Sequence, residues 1–166
     1  MRISKFHSIR KIAKSRSLNR TSTGMDSGIS ANNETDSNAD TCCPGKNWSV
    51  YSYTYCSADV HPYEDSYAPI KDVPIVSGAT AFTDDNGVTY ILIIHEALYY
   101  GDKLDHSLIN PNQLRHNNVG YWDNPYDKDK PLGIDVTDDL FIPLYTKGTK
   151  ILFQSRTPKP HLINCI

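Results

Sequence analysis

The run Tyr90-Ile91-Leu92-Ile93-Ile94 constrains this chain most, because it is the longest apolar stretch in 166 residues and offers no polar face. A strand that is apolar on both sides has to be covered on both sides. Asp84-Asp85-Asn86-Gly87 separates this run from Ala79 to Thr83, and Asn-Gly is suited to the positive φ angles of a type I′ turn. The pattern predicts a hairpin, Ala79 to Thr83 with Val88 to His95, whose second arm is a central strand in the middle of the core. Five residues fall well short of the roughly 18–20 needed to cross a bilayer, so a soluble protein with no membrane partner is expected.

Beyond residue 45, Tyr, Val, Ile and Thr recur in short runs punctuated by turn residues, which points to an all-β domain. Trp48 to Tyr55 alternates as a half-buried strand. Ala58 to Tyr63 and Ala68 to Val76 read as partners, with Pro69 and Pro74 placing the second at an edge or interrupting it. The loop between them, Pro62 to Tyr67, suits a mobile hairpin tip. Asn112 to Asn117, after Pro111, predicts one short helix before Gly120. Leu140 to Tyr145 and Thr149 to Gln154, joined by Lys147-Gly148, read as a second hairpin. No internal repeat or second domain is visible.

Charge is divided unevenly along the chain. Residues 1–20 carry seven Lys or Arg and no acid, whereas the other 146 hold ten bases against nineteen acids. A surface of that sign disfavours polyanions, so nucleic acid is a partner only through residues 1–20. Residues 1–33 are rich in Ser, Asn, Thr, Arg and Lys, too polar to offset their ordering entropy, and are expected to form a disordered basic tail. Ile3, Phe6, Ile9 and Ile12 among basic residues also fit a mitochondrial presequence. Their strict spacing by three drifts around a helix, and a plain basic tail stands as the alternative.

Cys42, Cys43, Cys56 and Cys165 lack paired spacing, which favours a reducing, intracellular compartment, the cytoplasm first, with the mitochondrion as the alternative that the basic N-terminus offers. Cys42-Cys43 with Cys56 and His61 lacks the short symmetric spacing of zinc sites, so no metal is expected. His95-Glu96 has no second histidine of an H-E-x-x-H helix. The acids Asp123, Asp127, Asp129, Asp135, Asp138 and Asp139 read as a solvated face without EF-hand spacing.

The remaining chemistry concentrates in Asp36-Ser37-Asn38-Ala39-Asp40-Thr41, an acid followed by a hydroxyl residue, a turn-capable residue and alanine. Further on, Leu108-Ile109-Asn110 precedes Gln113-Leu114. In this order, over roughly residues 35 to 155, the chain resembles the protease segment of a copia-type retrotransposon polyprotein, a retropepsin-like aspartic protease. The family carries glycine where this chain has Asn38, and an apolar strand where it has Ala31-Asn32-Asn33-Glu34-Thr35, which reads as a frayed or truncated first strand. Asp26-Ser27-Gly28 fits the short acid motif in isolation, but polar residues follow it, whereas Ala39, Cys42, Cys43 and Trp48 follow Asp36. A bland reading makes both aspartates ordinary Asx-turn residues.

The resemblance implies a small closed barrel of the retropepsin type with one short helix, spanning residues 34–157 and followed by a tail at 158–166. It implies a homodimer that cleaves a polypeptide substrate with two Asp36 carboxyls sharing one proton, a mechanism that needs no cofactor. Ser37 would bond the outer carboxylate oxygen or bridge the subunits, and the Asn38 and Ala39 N–H groups would favour the charged form. Asp40 would meet the substrate backbone, with Thr41 completing the loop. The tip Tyr63-Glu64-Asp65-Ser66-Tyr67 would act as a flap. A catalytically silent, transposon-derived binding or dimerisation module and an accessory nucleic-acid-associated protein are the rival expectations.

Overall fold

The computed structural model describes residues 28–62, 64 and 66–163. In it the Ala79-to-His95 hairpin forms as expected, but longer: β3 (Ile70–Thr83) and β4 (Thr89–Leu98) pair antiparallel, with Thr83 opposite Thr89. The turn differs in type. Only Gly87 has positive φ, at 75°, so Asn86 keeps the ordinary sign that a type I′ turn would reverse. Gly87 N–H donates to Asp84 O at 3.0 Å, and the Asp84 carboxylate accepts from Asn86 N–H at 3.0 Å and Val88 N–H at 2.8 Å. The acid at the start of the turn thus replaces a second left-handed residue as the feature that closes it.

All of Tyr90 to Ile94 is buried. Tyr90, Leu92 and Ile94 face the larger apolar cluster with Trp48, Ile109, Leu114 and Phe153; Ile91 and Ile93 face a smaller one with Ala79 and Ala81. The run is therefore covered on both sides, yet among the strands β4 pairs with β3 alone and is not a central strand of its sheet. Layers, not neighbouring strands, supply the cover. One layer is a separate sheet of β6 (Gly120–Trp122), β7 (Gly133–Thr137) and β8 (Leu140–Pro143), which contributes Tyr121, Ile134, Leu140 and Ile142. On the other side lie Tyr51 and Leu162, the latter from α2 (Pro160–Ile163).

The main sheet runs β2 (Ser49–Val60), β3, β10 (Lys150–Arg156), β1 (Ser30–Thr35), β5 (Ser107–Ile109), with β4 on β3 and β9 (Tyr145–Lys147) on β10. The chain is mostly β, but the strands do not close into a barrel, and two short helices form where one was expected: α1 (Pro111–His116) and α2. Ser30 to Asn33, assigned above to the tail, are part of β1; residues 1–27 lie outside the described residues. The expected second hairpin splits, because Leu140–Pro143 joins β7 in the small sheet while Tyr145–Lys147 alone turns back onto β10. Pro74 lies within β3 just beyond the end of the β4 ladder at Ile75, where its carbonyl accepts from Tyr99 N–H at 3.0 Å. The acids between Asp123 and Asp139 are exposed, as expected. No helix among the described residues is long and apolar enough to cross a membrane.

The centre of the sheet is polar. Asn33 on β1 has no solvent exposure, and its amide donates to Ser155 Oγ at 2.9 Å and Phe153 O at 3.3 Å. Its carbonyl oxygen accepts from Trp48 Nε1 at 2.8 Å and Asn47 Nδ2 at 3.1 Å. Asn47 Oδ1 in turn accepts from Ser107 Oγ at 2.6 Å, and Thr80 Oγ1 lies 2.7 Å from Ser155 Oγ. Five segments, β1, β3, β5, β10 and the turn at Asn47-Trp48, are thereby joined in one buried network. No buried side-chain polar atom among the described residues lacks a partner. The turn itself allows no side chain at Gly45, where an added Cβ would sit 2.5 Å from Leu104 O.

Removing Asn33 strands the buried Trp48 Nε1–H and takes one partner each from Asn47, Ser155 and Phe153, and each unsatisfied buried group costs about 1–3 kcal/mol. Asn33→Ala is therefore expected to lower unfolding stability by roughly 2–5 kcal/mol in urea denaturation. Asn32→Ala, next to it on the outer face, loses one exposed bond to Tyr145 and is expected to cost about 0.5 kcal/mol or less. Equal effects of the two substitutions would contradict this assignment of faces.

Candidate functional site

The Asp36 loop is suspended from both edges of one short strand. β1 runs parallel to β5, with Glu34 opposite Leu108 and Thr35 opposite Ile109, and Asp36 N–H extends that ladder by donating to Ile109 O at 3.0 Å. The chain then loops over and returns along the opposite edge of β5, where Cys43 and Leu108 exchange N–H···O bonds of 2.8 and 3.0 Å. The expected frayed first strand is instead paired, to β10 from Ser30 to Glu34 and to β5 from Asn33 to Thr35. Its apolar deficit is met by the Asn33 network.

Inside the loop, Asn38 N–H donates to Asp36 Oδ1 at 2.9 Å, and Asn38 does not have positive φ. The backbone supplies that contact, so it does not depend on the side chain at position 38, and no left-handed conformation calls for glycine there. Asn110 anchors the crest: its amide donates to Ala39 O, while its Oδ1 accepts from Asn112 N–H at 2.8 Å and Gln113 N–H at 3.2 Å as the N-cap of α1. Gln113 Oε1 accepts from Cys42 N–H at 2.8 Å and lies 3.1 Å from Thr41 Oγ1. Thr41 is buried and Asp36 and Ala39 are half-buried, whereas Ser37, Asn38 and Asp40 are exposed. The Ser37 hydroxyl makes no hydrogen bond among the described residues, so the expected bond to the Asp36 carboxylate is absent within one chain.

The segment thus gathers Asp36, Asn38, Ala39 and Thr41 with Asn110 and Gln113. Asn110 and Gln113 were legible only as part of a string; their anchoring role depends on contacts some seventy residues away in sequence. Cys43 is half-buried beside the two acids, and burial followed by the negative charges of Asp36 and Asp40 pushes its thiol up to about 11. Burial pushes fully enclosed Cys42 up to about 12. Neither is a thiolate near neutral pH, which removes both as resting nucleophiles. Among the described residues no group of three or more His, Cys, Asp or Glu could hold a metal ion.

The expected flap is the end of the β2–β3 hairpin, whose strands pair as far as Val60 opposite Ile70. Glu64, Ser66 and Tyr67 are exposed there, and Tyr67 N–H donates to Glu64 O at 3.2 Å; Tyr63 and Asp65 lie outside the described residues. Trp48 to Tyr55 is less buried than its alternation suggested, since Tyr53 and Tyr55 are 60% and 97% exposed. No hydrogen bond links this tip to the Asp36 loop among the described residues. Asp26 and Ser27 also lie outside the described residues.

The raised thiols give a pH dependence of fixed sign. Cys42 and Cys43 hold their protons more tightly folded than unfolded, so their contribution to stability is complete below about pH 9 and is lost as pH rises toward 11–12. At pH 8, Cys43 should alkylate about 100-fold more slowly than an unperturbed thiol, as read by mass spectrometry. Asp36→Asn should speed that labelling, and no change would place the acid away from the sulfur. Comparison of the chain with protein-family models, curated proteins and solved structures finds no match.

Proposed function

We propose that this chain is one half of an aspartic endopeptidase, completed by a second copy that brings its own Asp36 across a two-fold axis. The observation that supports it most is the anchoring of the Asp36 loop on both edges of β5, with an N–H group aimed at the carboxylate. Peptide hydrolysis needs a carboxylate held in one place, because a misplaced general base loses much of its effect. In the proposed dimer one Asp36 is ionised and removes a proton from a water molecule as that water attacks the peptide carbonyl carbon. The other, protonated, donates to the carbonyl oxygen, and the pair titrates as a unit. The proton then passes to the leaving amine as the C–N bond breaks.

Ser37 and Asp40, exposed beside Asp36, are the residues this reading assigns to the partner subunit and to the substrate backbone. The polyprotein-processing role belongs to the same proposal and rests on the resemblance alone. A silent binding module is the second reading, favoured by the exposed Asn38 side chain at the crest, where the resembled family carries glycine.

The test is cleavage of an unfolded protein substrate between pH 4 and 7 by the full chain, with products read by mass spectrometry. Asp36→Asn is expected to lower the rate by roughly 10²–10⁴-fold or more, with unfolding stability retained. Cleavage that survives Asp36→Asn would overturn the mechanism, and a folded wild-type dimer without cleavage would favour the silent module.

A further inference from the structure

On the outer face of β1, opposite the Asn33 network, lies a hollow of roughly 400 Å³ bordered by Asn32, Glu34, His106, Lys147, Lys150 and Leu152. We propose that it binds the carboxylate of an acidic side chain in the peptide presented to Asp36; this rests on the endopeptidase reading and names its substrate preference. The first ground is charge. Beyond residue 20 the chain carries nineteen acids and ten bases, yet this hollow holds two lysines and a histidine against one glutamate. That glutamate is already matched: Glu34, with only 17% of its side chain exposed, receives Lys150 Nζ at 2.6 Å and His106 Nε2 at 3.2 Å on the same oxygen. Lys147 has no ion pair among the described residues, so its charge is free to meet an anion.

Hydrogen-bonding capacity gives the second ground. Asn32 Oδ1 accepts from Tyr145 OH at 2.8 Å, which fixes the amide and leaves both hydrogens of its Nδ2 without an acceptor among the described residues. A carboxylate accepts from several donors, and Lys147 and Asn32, which border the same hollow, carry them. Leu152 adds an apolar wall for the aliphatic stem of a glutamate or aspartate. Position supplies the third ground. Glu34 lies on β1 two residues before Asp36, whose N–H continues the same ladder onto Ile109 O, so at the rise of extended chain the two positions are about 7 Å apart along the backbone. That spacing is about two residues of an extended peptide, so a substrate held at Asp36 can reach the hollow with a neighbouring side chain.

Two measurements on the full chain test this. The first is NMR titration of Asp36→Asn protein with N-acetylglutamate N-methylamide, its glutamine counterpart and inorganic phosphate, followed at the His106 ring. The glutamate compound is expected to bind at least about fivefold more tightly than the glutamine one, and Lys147→Gln to remove the difference. The second is cleavage of a peptide library by wild-type protein, where Glu or Asp should be enriched at one fixed position from the scissile bond, and Lys147→Gln should erase that enrichment. Glutamate-selective binding without any cleavage would keep the anion site and defeat the endopeptidase reading. Cleavage with no acidic preference, or no discrimination between the two amides, would overturn the hollow's assignment. Phosphate binding as tightly as the glutamate compound would reassign the hollow to free anions and also overturn it.

Discussion

The fold depends on the side chain of Asn33, a fully buried amide whose two donors and two accepted hydrogen bonds tie β1 to β10 and to the turn carrying Asn47 and Trp48. A buried polar group left unmatched is costly, whereas a matched one admits few alternative registers, since any slip by one residue would turn Asn33 to the outer face. Ser155 and Thr80 close the network from β10 and β3, and Ser107 from β5. The strand leading into Asp36 is thus fixed three residues before the acid. Rigidity in the loop follows from polar matching in the sheet, not from an apolar strand behind it.

That arrangement explains what the sequence disclosed and what it concealed. The buried run Tyr90 to Ile94, the hairpin before it and the short helix after Pro111 were legible because each is written in adjacent residues. β1 was not, because a strand reading Ser-Ala-Asn-Asn-Glu-Thr looks solvated until its partners are known, and those partners lie at Phe153 and Ser155, some 120 residues onward. Pairing across such distances leaves no local trace. The small sheet of β6 to β8 escaped for a related reason: Leu140 to Tyr145 has strand character, but nothing local says which of two sheets receives it. At the site, Asp36 to Thr41 stood out as a string, whereas the anchoring by Asn110 and Gln113 and the hollow around Glu34 required tertiary structure.

The two faces of β1 divide its labour. Inward, Asn33 sets the register; outward, Asn32 and Glu34 meet Tyr145, Lys150 and His106 in a charged hollow. At the strand's end Asp36 emerges half-buried, with its N–H committed to Ile109 and its carboxylate accepting from Asn38. A single carboxylate so placed lacks the proton donor that peptide hydrolysis requires. The proposed second copy supplies it, and the exposed positions of Ser37 and Asp40 leave both side chains free to meet that copy and a substrate.

The most direct measurement of this claim is the activity of mixed dimers. Fixed amounts of total chain, with increasing fractions of Asp36→Asn subunits exchanged into wild type, are assayed for cleavage. A dyad shared between subunits predicts that activity falls as the square of the wild-type fraction, because every mixed dimer lacks one carboxylate. Activity that falls only in proportion to that fraction would mean each chain works alone, and would contradict the shared dyad.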